Sequence, residues 1–129
     1  MREERQYSLN FEVLYFVDEK NNAPVRDYIK ALPTPERAKV YAYLKHLSDA
    51  GYKMRRPFAD YMGDKTGLYE LRPGRHRALY FFLVRNKVVL LHAFLKKTDA
   101  IPMRDIDVAL HRKEICEVLL KYDKVDFKE

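Results

Sequence analysis

Apolar and polar positions along this chain follow two different periods, and the places where the period changes mark out its elements. Residues 9–17, Leu-Asn-Phe-Glu-Val-Leu-Tyr-Phe-Val, alternate at their start and are rich in β-branched and aromatic side chains, which predicts a first strand. A polar turn at 18–22 follows it. From 23 to 32 the apolar residues Val25, Tyr28, Ile29 and Leu32 recur at three- and four-residue steps, with Pro24 in the first turn, where a helix tolerates it. Pro33 ends that helix. Thr34 and Pro35 then read as an N-cap and a first-position proline, and Gly51 reads as the C-terminal stop. Between them, Val40, Tyr43, Leu44 and Leu47 form the apolar stripe of a second helix over 35–50.

Residues 52–67 read as a loop, punctuated by Pro57, Gly63 and Gly67. Three strands are expected after it, at 68–72, 77–84 and 88–97, joined at 73–76 and 85–87 by connections short enough for hairpins. Beyond Pro102 a third helix over 103–121 carries Ile106, Leu110, Ile115 and Leu119 on or near one face, and the polar tail from Tyr122 is expected to fray. The order β-α-α-β-β-β-α describes an α+β fold: a mainly antiparallel sheet with a helical hairpin on one face and a C-terminal helix. All the helices are expected over one face of the sheet. The first strand is free to pair centrally or at an edge. No repeat, low-complexity segment or linker divides the 129 residues, a length that suits one domain.

Composition narrows the classes. A 47% apolar and 34% charged chain is neither disordered nor membrane-embedded, and its longest apolar run, 78–84, is far too short for a span. The charged opening at 1–6 offers no signal peptide, so the expected location is the cytoplasm, without membrane contact. The single cysteine, Cys116, has no partner for a disulfide or a thiolate zinc site and reads as a small apolar helix residue. Net charge is +6, but it is unevenly placed: residues 1–52 balance 8 Lys/Arg against 8 Asp/Glu, residues 53–104 carry 12 against 4, and residues 105–129 carry 5 against 7. A basic middle inside a balanced protein points to a polyanion partner, because clustered cations displace counterions from phosphate.

No phosphate loop, Gly-x-Gly-x-x-Gly or His-Glu-x-x-His motif is present, and His46, His76, His92 and His111 are scattered without metal-ligand spacing. Neither a metal nor a cofactor is expected. The reactive material is cationic: Arg72, Arg75, Arg77, Lys96 and Lys97. Antiparallel pairing of 77–84 with 88–97 sets the start of one strand against the end of the other, so Arg77 should neighbour Lys96 and Lys97, and the tight turn at Pro73-Gly74 should put Arg72 beside Arg77. Arginine forks and a lysine charge suit a phosphate. Strand-end charges that merely guard a sheet edge are the alternative. Tyr69, Tyr80, Phe82 and Phe94 can serve either as core or as base-stacking surfaces.

Leu68-Tyr69-Glu70-Leu71-Arg72, Arg77-Ala78-Leu79-Tyr80-Phe81-Phe82, Leu90-Leu91-His92-Ala93-Phe94-Leu95-Lys96-Lys97-Thr98, and Pro102 ahead of a helix with Ile106 and Ala109 together resemble the phage-derived, HigB-like branch of the RelE/HigB toxin superfamily. The resemblance covers roughly residues 10–115 and rests on the order and spacing of the pieces. It implies the RelE-like fold and the toxin of a type II toxin-antitoxin system. Such a toxin is a ribosome-dependent messenger-RNA endoribonuclease, an mRNA interferase held inactive by a helix-turn-helix, HigA-like antitoxin. In such enzymes the 2′-hydroxyl of the message attacks the adjacent phosphate, the 5′-oxygen leaves, and a 2′,3′-cyclic phosphate can result.

Carried over by motif position, Arg77 and Lys97 are the phosphate-clamping candidates, with Arg72 beside them and Lys96 as the alternative lysine. Relatives often use lysines, a histidine or a C-terminal tyrosine for proton transfer, and no tyrosine occupies the first turns of this last helix. Glu70 shares a strand face with Arg72 and can accept a proton, or serve as its structural partner. His92 shares parity with Lys96 and is a second candidate, or a core histidine. Lys53, Arg55, Arg56 and Arg75 are candidate RNA-binding cations. The competing reading is a non-catalytic RNA-binding, ribosome-binding or protein-interaction module on the same fold, since no acid/base pair stands out.

Overall fold

The computed structural model describes residues 10–84 and 86–121. The expected tail from Tyr122 and the first residue of the predicted opening strand, Leu9, lie outside them. Its elements are β1 (Glu12–Tyr15), α1 (Pro24–Lys30), α2 (Thr34–Ala50), β2 (Ala59–Tyr61), β3 (Tyr69–Leu71), β4 (His76–Leu83), β5 (Lys87–Leu95) and α3 (Met103–Lys121). They form one five-stranded sheet in the order β1-β5-β4-β3-β2. The β2-β3-β4-β5 meander is antiparallel, and β1 adds at the edge, parallel to β5. An α+β fold of this kind is RelE-like.

Strand β2 is an addition to the expected order. It falls within 52–67, where proline and glycine argue for a loop, and its three residues are too few to display an alternating pattern. Short edge strands of this kind limit the exposed ladder at a sheet margin. Helix α2 also begins one residue before the expected position: Thr34 is helical, and its hydroxyl accepts a hydrogen bond from Arg37 instead of capping the helix. Gly51 ends the helix with φ +54, and its N–H donates to the carbonyl of Leu47. A side chain is excluded there by the ring of Phe11, which lies 2.0 Å from where a Cβ would stand.

The helices divide between the two faces, contrary to the expectation that all lie on one. The α1-α2 hairpin packs Val25, Ile29, Val40, Leu44 and Leu47 against Val13, Leu71, Ala78, Tyr80, Val88 and Leu90. On the opposite face α3 packs Ile106, Ala109, Leu110, Ile115 and Cys116 against Leu79, Phe81, Leu83, Val89 and Leu91. Covering both faces is why β4 is an almost unbroken apolar run, for a half-solvated strand would alternate. A β-bulge interrupts β5: Leu79 pairs with His92 and Tyr80 with Leu90, leaving Leu91 extra. The α3 side is therefore served by Val89 before the bulge, by Leu91 at it, and by His92 and Phe94 after it.

Candidate functional site

Strand β4 opens with two buried polar residues, His76 and Arg77, which leave the sheet on opposite sides. Arg77 follows the parity of Leu79 and Phe81 and lies on the α3 side. Glu70 of β3 pairs in register with Leu79 and joins it there. Arg77 is 6% exposed. Its Nε lies 3.2 Å from Glu70 Oε2, and its Nη1 donates to the carbonyls of Gly74 and His76 at 2.9 and 2.8 Å. Nη2 has no protein partner among the described residues. Arg72 stands on the other side of the same carboxylate, its Nε 4.0 Å from Glu70 Oε1. Burial is the largest influence on the Arg77 guanidinium and lowers its pKa, Glu70 raises it, and the charge on Arg72 lowers it again. An arginine so placed remains charged.

Arg77 and Arg72 line a cavity of about 710 Å³ at the end of the α3-covered face. Lys96 and Lys97, just past β5, and Arg104, in the first turn of α3, line it as well. Arg77 pairs across the sheet with Phe94, and the Lys96 N–H donates to the Arg75 carbonyl at 2.7 Å, which ties the end of β5 to the start of β4. The Lys96 ammonium is 3.4 Å from Asp99, whereas Lys97 makes no ion pair or hydrogen bond among the described residues. A buried, immobilised guanidinium beside further cations can hold an anionic oxygen without reorganising, the arrangement that favours developing charge on a phosphate.

Residues 27–114 match the family described as phage derived protein Gp49-like (DUF891). The chain belongs to that family. Gp49-like proteins are a RelE/HigB-like toxin family, and a toxin of this kind implies an antitoxin partner. No curated protein matches the chain. The Gp49-like region contains every residue that lines the cavity, from Arg56 to Ile106.

The remaining candidates are distributed around this site. His92 is not among the residues lining the cavity: its Nε2 lies 2.6 Å from Asp105 Oδ1 of α3, and its ring stacks on Phe94 at 5.7 Å. Arg56 lines the cavity and is held by Asp60 at 2.6 Å, a hydrogen bond that raises the guanidinium pKa and lowers that of the carboxyl. Arg55 lines an adjoining hollow with Tyr52, Tyr61 and Tyr69. Lys53 lies in a 3₁₀ turn and Arg75 in the turn before β4; both are exposed and outside the main cavity. Tyr80 belongs to the core under the helical hairpin, with Tyr69 and Phe82 packed on it, whereas Phe94 is half-buried against the α3-side core and lines the cavity.

Sequence reasoning passed over Arg104, Asp105, Asp60 and Lys39. The signal for Arg104 was its place just past Pro102, at the start of a helix that follows Lys96-Lys97 directly. No periodic pattern links Asp105 to His92, which it meets only because α3 folds back over β5. Among the described residues no three His, Cys, Asp or Glu side chains gather as metal ligands, and no helix is long and apolar enough to cross a membrane.

Proposed function

We propose that this Gp49-like protein is the toxin of a type II toxin-antitoxin pair of the HigB-like branch, acting in the cytoplasm as a ribosome-dependent messenger-RNA endoribonuclease, a hydrolase that cuts by transesterification and needs no cofactor. The observation that carries the reading is Arg77, buried and held by Glu70 and two carbonyls, beside Arg72, Lys96 and Lys97 in one cavity. The attacking 2′-oxygen forms a bond to phosphorus, the bond to the 5′-oxygen breaks, and the hydroxyl proton is exchanged for one delivered to the leaving oxygen. Arg77 and Arg72 stabilise charge on the phosphorane, and Lys97, which has no carboxylate partner among the described residues, is best placed to reach the phosphate or the leaving oxygen. The partner that restrains the toxin is a HigA-like helix-turn-helix antitoxin.

A second reading is favoured by one specific observation. Glu70 lines the cavity but is engaged by two arginines, and His92, whose Nε2 lies against Asp105, does not line it, so neither proposed proton acceptor stands free in the cavity. A non-catalytic RNA- or ribosome-binding module needs no free base. Ribosome dependence accommodates the same fact, because orientation of the message supplies rate that the protein's own groups do not.

Single-turnover cleavage on programmed ribosomes, beside a pelleting assay for binding, separates the two. Removing a donor that strengthens in the transition state costs about 10²–10³ in rate. Arg77→Ala is expected to lose that much cleavage while binding changes little. Arg77→Lys keeps the charge but loses the fork and should fall between. Free RNA is expected to be cut poorly. Binding without cleavage by the unaltered protein would establish the module reading instead.

A further inference from the structure

A second, smaller hollow of about 400 Å³ opens beside the main cavity, lined by Lys39 and Tyr43 of α2 together with Arg56, Arg72, Gly74 and Arg77. Its charge differs from that of its neighbour. Asp60, Glu70, Asp99 and Asp105 all line the main cavity, whereas no carboxylate among the described residues lines this one. Among the described residues, four cations thus border a small space with no acidic residue in its wall. Three of them, Arg56, Arg72 and Arg77, border the main cavity too, so the two spaces lie within reach of the same guanidiniums.

Lys39 is the residue that belongs to the small hollow alone. It is exposed and makes no hydrogen bond or ion pair among the described residues, in contrast to Lys45 on the same helix, which pairs with Asp49 at 3.3 Å. The turn at Gly74 runs close beside it. Gly74 turns the chain with φ +62, and the Lys39 ammonium lies 3.8 Å from where a Cβ there would stand, an ordinary contact distance. Arg77, buried between the two spaces, supplies a fixed positive charge to both. Arg56 is paired with Asp60, and Arg72 and Arg77 share Glu70, so Lys39 is the one of the four cations without a carboxylate partner among the described residues, and its charge beside three shared arginines favours an anion between them.

We infer that Lys39, with Arg56 and Arg72, forms a second phosphate seat that takes the internucleotide phosphate next to the one held in the main cavity, so that the protein grips two consecutive phosphates of single-stranded RNA. The inference rests on RNA being the substrate. It adds a residue on α2 to a site otherwise built from the sheet and α3. The seat recognises backbone charge, so it contributes grip and register without sequence preference.

The test uses the intact protein and a 2′-O-methyl RNA trimer, which lacks the attacking hydroxyl and is not cut, with affinity read by fluorescence anisotropy across a salt series. The same trimer with either internucleotide phosphate replaced by a neutral methylphosphonate is the comparison. The unaltered protein should bind the full trimer several-fold more tightly than either neutralised form. Lys39→Ala should weaken binding of the full trimer, leave it no better than one of the neutralised forms, and lower the slope of log affinity against log salt by about 0.7, the value for one single-strand phosphate contact. Lys39→Arg should restore the slope, and Lys45→Ala should leave it unchanged. Lys39→Ala with an unaltered salt slope, or a slope reduced equally by Lys45→Ala, overturns the seat while leaving the ribonuclease reading to its own cleavage test. Failure of the unaltered protein to cleave on ribosomes, with the Lys39 slope change present, removes the catalytic reading and keeps the seat.

Discussion

Burial acts on Cys116 and Arg77 through the same physics and with different results. The low dielectric of the interior disfavours whichever form is charged. Arg77 stays charged because its pKa begins far above neutrality and Glu70 offsets part of the shift. Cys116, fully buried against the sheet, is instead held as a neutral thiol, its pKa pushed up by burial from 9.0 to about 12. That fits its expected place as an apolar helix residue and excludes it as a ready nucleophile. It also has a consequence for stability. Between pH 9 and about 12 the unfolded chain loses the thiol proton while the folded chain keeps it. Stability conferred by the neutral thiol is therefore complete below pH 9 and declines above it, by about 1.4 kcal/mol per pH unit. Tyr80, also buried and raised by desolvation, adds a similar decline above 10, so the comparison needed is with Cys116→Ala, in which only the cysteine contribution is gone. Urea unfolding from about pH 8.5 to 10.5 should show the unaltered protein losing stability more steeply than the variant above pH 9. Parallel curves would show that the thiol ionises alike in both states.

At the level of elements, the site depends on how the helical hairpin is fastened to the start of β4. His76 Nδ1 lies 2.7 Å from the Tyr28 hydroxyl of α1, and its Nε2 lies 2.6 Å from Glu36 of α2. One imidazole thus links both helices to the residue preceding Arg77. Tyr28→Phe and Glu36→Ala should each cost about 1 kcal/mol, the usual worth of one such bond, and the double variant should lose less than the sum, because both bonds fix the same ring. Denaturant midpoints of the four proteins measure this, and strictly additive losses would mean that the two helices are held independently. The elements themselves were legible where local rules are strong. Pro24, Pro33 and Gly51 bound the two hairpin helices, whereas the two-sided burial of β4 was not read from its apolar run, and the helices were expected over one face. What escaped was short or non-local. Strand β2 has three residues, too few for a period, and the bulge at Leu91 is set by pairing with β4 rather than by its own sequence. In the candidate site, the convergence of Arg72, Arg77, Lys96 and Lys97 followed from hairpin geometry alone. The carboxylates that engage His92 and Arg56, and the approach of Lys39, depend on tertiary packing and could not be read from spacing.

Across the whole molecule, folding turns a basic stretch of sequence into a localised field with two parts. Of the four carboxylates within residues 53–104, Asp60, Glu70 and Asp99 all line the main cavity, where they pair with Arg56, Arg77 and Lys96. The cavity is consequently a set of oriented, partly neutralised groups suited to one phosphate. Lys53 and Arg55 stand outside it, exposed on the margin near β2, and neither pairs with a carboxylate among the described residues. Cations in such positions act at a distance: they raise the rate of encounter with a polyanion and lower its dissociation, and salt screens them. Replacing Lys53 and Arg55 together with alanine should weaken association with ribosomes and reduce its salt dependence. Each lost phosphate contact should remove roughly 0.7–0.9 from the slope of log affinity against log salt. The chemical step should survive, because neither residue lines the main cavity. At saturating protein, single-turnover cleavage by the double variant should therefore match that of the unaltered protein, whereas Arg77→Ala should remain slow however much is added. A double variant that stays slow at saturation would place the margin within the reacting geometry, and the division between a steering field and a phosphate-holding cavity would have to be given up.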